Sequence, residues 1–409
     1  MNSGDTAWVL ASAALVLIMT PGLAFFYGGM ARRKNVLSLL MQCFFIMCLV
    51  GLQWVAFGYS LAFGPDINGL IGSLDWAGLV GVGAKPFDAY SKTIPHLAFM
   101  IFQCMFAVIT PALIVGAFAE RIRFSAFAVF ILLWATFVYD PIAHWVWADG
   151  GWLKKMGALD FAGGIVVHVS SGVSALVMCL LIGRRIGYSN TSFAPHNLPF
   201  TVLGAALLWF GWFGFNAGSA LAADGLAANA FVTTNTAAAA AGLAWAFMEW
   251  LKNGASTVLG VVSGIVAGLV AITPACGFVS PLASIPIGLA AGVICFYAVA
   301  ELKPRLGYDD ALDVFGVHCA GGTWGTIATG IFASRLINEA GADGLLFGNP
   351  NQLLVQAVCF AVCIVYAVAM TWMLYKLVDA VIGMRVGVRE ETIGLDLTQH
   401  NEAAYTVLE

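Results

Sequence analysis

Apolar residues run along this chain in uninterrupted stretches of about 20, separated by short breaks of charge, glycine, proline or asparagine. A stretch of that length is what an α-helix needs to cross a hydrocarbon layer about 30 Å thick. Segments of about ten residues with alternating polarity, the mark of a transmembrane β-barrel, do not occur. The breaks predict eleven helices, at Ala7–Tyr27, Val36–Ala62, Ile94–Ala119, Ser125–Val146, Phe161–Gly183, Leu198–Ala220, Leu226–Trp250, Ser256–Pro274, Ser280–Val299, Val314–Ser334 and Leu353–Ala380. The expected fold class is an all-α polytopic membrane protein.

Lysine and arginine orient the crossings. Alternate connections hold Arg32, Arg33 and Lys34, Arg121 and Arg123, Arg184 and Arg185, Lys252, Lys303 and Arg305, and finally Lys376, Arg385 and Arg389. The other set holds only Lys85, Lys92, Lys154, Lys155 and Arg335. Basic residues stay on the cytoplasmic side of a membrane. The expectation is a multi-pass protein of the cell membrane with its N-terminus outside and its C-terminus in the cytoplasm. Residues 1–383 are expected to form the transmembrane domain. Residues 384–409, with Arg385, Arg389, Glu390 and Glu391, form a cytoplasmic tail against the inner face. Met1 to Thr6 lack a positive segment, so no cleavable signal peptide is expected.

An odd number of crossings suits an inverted repeat, spans one to five copied by six to ten from the opposite face, with the eleventh peripheral. Asp160-Phe-Ala-Gly-Gly164 opens the fifth span and His168 follows Asp160 by eight residues; Asp310-Ala-Leu-Asp313 opens the tenth and His318 follows Asp310 by eight. Matching Ala158-Leu-Asp160 to Ala311-Leu-Asp313 instead shifts the alignment by three, so two registers compete. Eight residues at 1.5 Å each make about 12 Å, against a hydrocarbon half-thickness of about 15 Å. Entering from opposite faces, both histidines reach the middle of the layer.

Composition narrows the class. Of 409 residues 61% are hydrophobic and only 10% charged, whereas a soluble domain carries about 25% charge. Forty-six glycines with 13% aromatics exclude a disordered chain or coiled coil. The cysteines form no CxxC pair, and Cys43, Cys48, Cys179, Cys359 and Cys363 lie in apolar runs, where a thiol acts as a small hydrophobe. A net charge of −4 gives no reason to expect a nucleic-acid partner.

Ionisable groups at mid-membrane are costly and face pathways, so His168 and His318 are the leading candidates for function. A neutral imidazole has one N–H and one bare nitrogen; two rings can therefore bond each other and still offer a group to a small guest. The alternatives are two unrelated packing histidines, or a metal held by His168, His318 and Cys319. Adjacent residues on a helix point about 100° apart, and no carboxylate is expected nearby in the apolar runs. No metal, cofactor or catalytic residue is expected, and the chain does not read as an enzyme. Asp160 is placed to cap the fifth helix, while its field favours a cation; Asp313 reads similarly for the tenth.

The aromatic residues supply the rest. Phe102 and Phe106 share one helix face, Trp147 closes the fourth span, and Gly211-Trp-Phe-Gly-Phe-Asn-Ala-Gly-Ser219 sets rings beside glycines and a hydroxyl. Singly, each ring would be interfacial or lipid-facing bulk, and the glycines would serve close helix packing. Together they suggest a cage, in which a cation over an aromatic face gains about 0.5–2 kcal/mol and Ser219 accepts a hydrogen bond. Below such a cage, lined by phenylalanine and histidine, a bare ion would cost about 3 to over 10 kcal/mol. Ammonium fits, because it can shed a proton and continue as ammonia; potassium would call for rings of carbonyls.

At these residues the sequence resembles the Amt branch of the Amt/Rh/Mep family of ammonium transporters, over nearly its whole length. The resemblance lies in Pro21-Gly-Leu-Ala-Phe-Phe-Tyr-Gly-Gly29, Gly116-Ala-Phe-Ala-Glu-Arg-Ile-Arg-Phe124, Ala158 to Gly164 with His168, Gly211 to Ser219, Thr273-Pro-Ala-Cys-Gly277 and Asp313-Val-Phe-Gly-Val-His318. It implies a homotrimer of eleven-helix protomers, each with its own pore, serving uptake of ammonium and possible methylammonium substrate. It also implies an outer substrate site of Trp147, Phe106 and Ser219 with Phe102 beside it, a gate of Phe106 and Phe215, a twin-histidine pair of His168 and His318, and Asp160 as the group organising the outer site. The Rh branch generally lacks the combination seen in Trp147 and Ser219. The tail is implied to pack on a neighbouring subunit and to influence regulation by a PII-type signalling protein. An ammonium sensor with little flux is the alternative, and proton transfer alongside ammonia stays open. Trp152, Lys154 and Lys155 depart from the pattern, leaving a basic outer loop without a role.

Overall fold

In the computed structural model, which describes residues 1–188, 190–191 and 193–405, the chain is helical nearly throughout. Among the described residues eight helical stretches are long and apolar enough to cross a membrane: Ser3–Met30, Arg33–Phe63, His96–Ala117, Phe124–Met156, Gly164–Ile182, Leu198–Gly218, Pro281–Leu306 and Pro350–Val381. Gly225–Asn253, Val258–Ile272 and Ala320–Phe332, the last preceded by a π-turn at Phe315–Cys319, stand where the pattern predicts spans seven, eight and ten. Side chains cap many of the starts. Asn2, Asn197, Asp224, Thr257 and Ser280 each accept from a backbone N–H in the first turn, satisfying donors that a helix leaves unpaired.

Gly225–Asn253 is rich in alanine and threonine, and its place rests on close backbone packing. A Cβ on Gly288 of the ninth helix would lie 2.3 Å from the Ala237 carbonyl oxygen, and one on Gly268 of the eighth 2.5 Å from the same atom. Small residues on all three helices let backbones meet, which compensates for modest hydropathy. At the other extreme, only 28% of the most apolar stretch of Pro350–Val381 is buried, against 89% for His96–Ala117. The third helix is central and the eleventh is peripheral.

The N-terminus and the described part of the tail lie on opposite faces. The Asn2 N–H donates to the Thr93 carbonyl, beside Lys92, on what we term the upper face. On the lower face the tail folds back on its own chain as two short helices, Val388–Ile393 and Leu395–His400. The Ser38 N–H donates to Asp396 at 2.8 Å and the Leu395 N–H to Asn35 at 2.8 Å. Arg385 bonds the carbonyls of Ile182 and Arg184 and pairs with Glu391 at 2.8 Å. The tail is thus tied to the connections after the first and fifth helices.

The two halves share local irregularities. The fourth and ninth helices carry π-turns at Ala135–Tyr139 and Ala298–Leu302, and the fifth and tenth begin with π-turns at Gly164–Val169 and Phe315–Cys319. Three residues after Asp160 comes Gly163 at φ 110°, and three after Asp310 comes Asp313 at φ 63°. These corners line up when Asp160 is set against Asp310, and not when Ala158-Leu-Asp160 is set against Ala311-Leu-Asp313. The capping expectation is also corrected. The side chain of Asp310, not that of Asp313, accepts from the tenth helix, taking the Phe315 N–H at 2.7 Å. Asp313 sits at the left-handed corner and pairs with Lys303 at 2.5 Å.

Candidate functional site

The fifth helix starts later than its apolar run, at Gly164, because Phe161–Gly163 turn over the Asp160 side chain. Asp160 Oδ1 accepts from Gly163 N at 2.9 Å and Gly164 N at 2.6 Å, and Oδ2 from Ile165 N at 2.8 Å and Val166 N at 3.1 Å. One carboxylate therefore satisfies a whole helix end. Its backbone carbonyl accepts from Trp147 Nε1 at 2.8 Å, so the same residue fixes the Trp147 ring. The Thr273-to-Gly277 segment supports this turn from the eighth helix. The Phe161 N–H donates to the Pro274 carbonyl at 3.2 Å, and Gly277 makes room for the Phe161 ring.

Trp147 and Ser219 wall a cavity of about 170 Å³ open to the upper face, with Phe106 at its floor. Phe106 meets Trp147 edge-on at 5.7 Å and stacks on Phe215 at 4.2 Å and 23°. The Ser219 hydroxyl donates to the Phe215 carbonyl at 2.8 Å, which orients its lone pairs as acceptors. Phe102 is placed differently from its three partners. It is fully buried behind Phe106, edge-on at 5.0 Å, and does not line the cavity, because Gly218 brings the sixth helix over its ring. Sequence reasoning missed Gln103, Tyr90 and Phe161, which do line it. The Gln103 Oε1 is buried without a partner among the described residues. Neighbouring an expected site residue by one position was its only sequence signal.

Beneath the Phe106–Phe215 stack lies a second chamber of about 10 Å³, with Leu113, Val167, Leu208 and Trp212 around His168 and His318. A third, of about 20 Å³, leads from His318 past Tyr27 and Ser263 to Asp313 on the lower side. A space of about 10–15 Å³ holds one water-sized molecule. The His168 and His318 Nδ1 atoms are 3.3 Å apart, their rings tilted by 23°. One Nδ1 must donate and the other accept, so two neutral rings share a single proton there and carry opposite tautomers. His168 Nε2 has no partner among the described residues. Trp212 stacks on His168 at 5.4 Å and is anchored through its N–H to Thr273 at 2.9 Å.

Glycines make this meeting possible. Gly172, one turn below His168, would place a Cβ 2.3 Å from the Cys319 backbone nitrogen. Gly322, one turn from His318, would place one 2.9 Å from the Gly164 carbonyl oxygen. Cys319 lies at this crossing against Gly172, and among the described residues no group of three His, Cys, Asp or Glu side chains converges.

A family model described as Ammonium Transporter Family matches residues 7–405. The chain is 55% identical to the ammonium transporter of Bacillus subtilis over 405 residues, 99% of each, and 50% identical to ammonium transporter Amt1 of Archaeoglobus fulgidus over 406 residues, 99% of this chain and 100% of the relative. This chain belongs to the ammonium transporter family. The crystal structure of Saccharomyces cerevisiae Mep2 superposes with a TM-score of 0.89 at 36% identity, covering 95% of this chain and 89% of that one. A structure titled Sensor Amt Protein superposes with a TM-score of 0.89 at 28% identity, covering 97% and 98%. Its family gives the chain a transport role rather than catalysis.

Two features of this transporter stand apart from the expected site. Asp140 is a carboxylate within an apolar run, away from the histidine pair. It lies inside the fourth helix, fully buried, and accepts from Gln53 Nε2 at 2.8 Å, its other oxygen unpartnered among the described residues. It lines none of the three chambers just described. A single acid in an otherwise apolar run was the signal. The basic loop also resolves into two roles: Lys155 pairs with Asp66 at 3.7 Å, whereas Lys154 lines the upper cavity and donates to the Trp147 carbonyl at 3.2 Å.

Proposed function

We propose that this chain carries ammonium across the cell membrane, capturing the cation at Trp147, Phe106 and Ser219 and conducting ammonia past His168 and His318. The observation that carries this reading is the order of the chambers: a polar-rimmed cavity, a stacked pair of rings, then an apolar space of one-molecule size beside a histidine nitrogen without a partner. Ammonium meets two aromatic faces, a hydroxyl acceptor and Gln103 in the first cavity. Below the rings no charge compensates a cation, and the cost of about 3 to over 10 kcal/mol favours NH4+ dividing into NH3 and H+ before passage. Ammonia then accepts from, or donates to, the imidazole nitrogens. Asp160 positions Trp147 and does not touch the ion. Phe106 and Phe215 act as the gate.

Residues 1–383 are the transporting domain and 384–409 its regulatory tail. The upper face is outside and the lower face cytoplasmic, in keeping with the basic residues there. Each protomer of a homotrimer holds its own pore, since all three chambers lie within one chain. The tail is the surface a PII-type protein would meet. The sensor reading is disfavoured, because identity to proteins named ammonium transporter reaches 47–55%, against 28% for the sensor.

The test is an ammonium pulse on proteoliposomes, recording current and internal pH together. Current on the pulse means that a proton follows the ammonia, through the shared Nδ1 proton of the histidine pair or another polar route. Internal alkalinisation without current means that the proton is left outside. His168→Ala and His318→Ala are expected to abolish or alter this flux. Intact wild-type protein giving neither current nor pH change would sink the transporter reading and promote the sensor.

A further inference from the structure

We propose that Lys154 sets the ammonium threshold of the upper cavity, acting as a tethered alkylammonium that repels the incoming cation and competes with it for acceptors at the mouth. This rests on the reading of Trp147, Phe106 and Ser219 as the capture site. Three observations carry it. Lys154 lines the cavity, and its ammonium donates to the backbone carbonyl of Trp147, the residue whose ring walls the site. Among the described residues it has no carboxylate within salt-bridge reach, unlike its neighbour Lys155, which is paired with Asp66; Asp149 acts on it only at longer range. The acid beneath the cavity, Asp160, spends both oxygens on four backbone N–H groups, so its charge is already largely matched.

A cavity built to receive a cation therefore carries a lysine amine on its rim. Across roughly 7–10 Å in a mouth with an effective dielectric of about 40–80, the protonated amine weakens cation occupancy by about two- to sevenfold. Ions screen such a contact, because the Debye length is about 10 Å at 0.1 M salt. The same amine that lowers affinity also frees the site faster once ammonium has been captured. Lys154 is a specificity-setting residue for the mouth and takes no part in deprotonation.

The experiment measures initial ammonium flux against concentration in proteoliposomes of the full chain, at low and high ionic strength. Lys154→Gln is expected to lower the apparent KM by about two- to sevenfold, with maximal flux within twofold of wild type, and Lys154→Glu to lower it further. Lys154→Arg should behave as wild type. Lys155→Gln removes the same formal charge from the loop but leaves KM unchanged. Raising salt should lower the wild-type KM and leave that of Lys154→Gln flat. An unchanged or raised KM in both Lys154→Gln and Lys154→Glu overturns the proposal, as does an equal effect of Lys155→Gln, which would mean that only net surface charge matters. Trp147→Ala and Ser219→Ala run beside them. If these leave KM unaltered, the capture site itself is wrong; if they raise KM while Lys154 variants do nothing, only the Lys154 inference fails.

Discussion

Adding one methyl group at Gly172 should disable the histidine pair without touching either ring. A Cβ at this position would sit 2.3 Å from the Cys319 backbone nitrogen and 2.8 Å from its Cα. Ordinary contact needs about 3.4 Å or more, so the fifth and tenth helices must part by roughly 1 Å, since packed interiors have no slack to absorb it. The obstacle is backbone, which cannot rotate away as a side chain could. The Nδ1–Nδ1 separation, now 3.3 Å, would pass about 4 Å and cease to be a hydrogen bond. Overpacking of this kind costs about 1–3 kcal/mol, enough to lower thermal stability but not to abolish folding. Gly322→Ala meets the Gly164 carbonyl at 2.9 Å and the His168 Cβ at 3.0 Å, a milder conflict. Gly51→Ala meets nothing within 4 Å in the second helix, and alanine is the better helix former by about 0.5–1 kcal/mol. The assay is ammonium flux in proteoliposomes beside the melting temperature in detergent. Flux should fall more than about tenfold in Gly172→Ala, fall less in Gly322→Ala and hold in Gly51→Ala. Wild-type flux in a folded Gly172→Ala protein would refute the claim that this crossing brings the rings together.

Other consequences can be measured with the same preparations. Trp147→Ala removes one face of the cage and should raise the apparent KM for ammonium by about 2- to 30-fold, corresponding to 0.5–2 kcal/mol; an unchanged KM would place capture elsewhere. Asp160→Ala strands four backbone N–H donors and unseats Trp147, at a cost of about 1–3 kcal/mol per unsatisfied group. It should lower both the melting temperature and flux, with Asp160→Asn intermediate, and a full-activity Asp160→Ala protein would contradict the capping role. At the lower face, burial pushes the Asp309 carboxyl up, but hydrogen bonds and charge from Arg185, with Arg121, outweigh it and hold it below the ordinary carboxylate range. Because this group titrates lower when folded, it stabilises the protein at neutral pH, and that contribution fades as pH falls below about 4. Asp309→Asn should flatten the acid limb of a melting-temperature profile, and an unchanged limb would show that other carboxylates dominate.

Much of the architecture could be read along the chain. Helix boundaries follow from apolar length because the hydrocarbon layer penalises every uncovered polar group, and the predicted span Leu198–Ala220 and the observed helix Leu198–Gly218 differ by only two residues. The spacing was legible as well: His168 and His318 each follow their capping acid by eight residues, although the chain turns first and is helical only from Gly164 and Val314. Partner identity was harder. Phe102 and Phe106 share a periodic face, yet the close approach of Gly218 hides one ring and leaves the other on the cavity. Asp140 is sheltered by Gln53 from another helix, and Lys154 and Lys155 are neighbours in sequence with unlike partners.

By itself the sequence determined the membrane setting, the rough order of crossings and the two histidines set inside apolar helices, because each depends on one helix and its solvent. Tertiary structure decided the paired left-handed corners at Gly163 and Asp313, the capping role of Asp310, the chamber sizes and the bond between the histidines. Those depend on backbone distances between segments about 150 residues apart, where a single Cβ at Gly172 is the difference between contact and none.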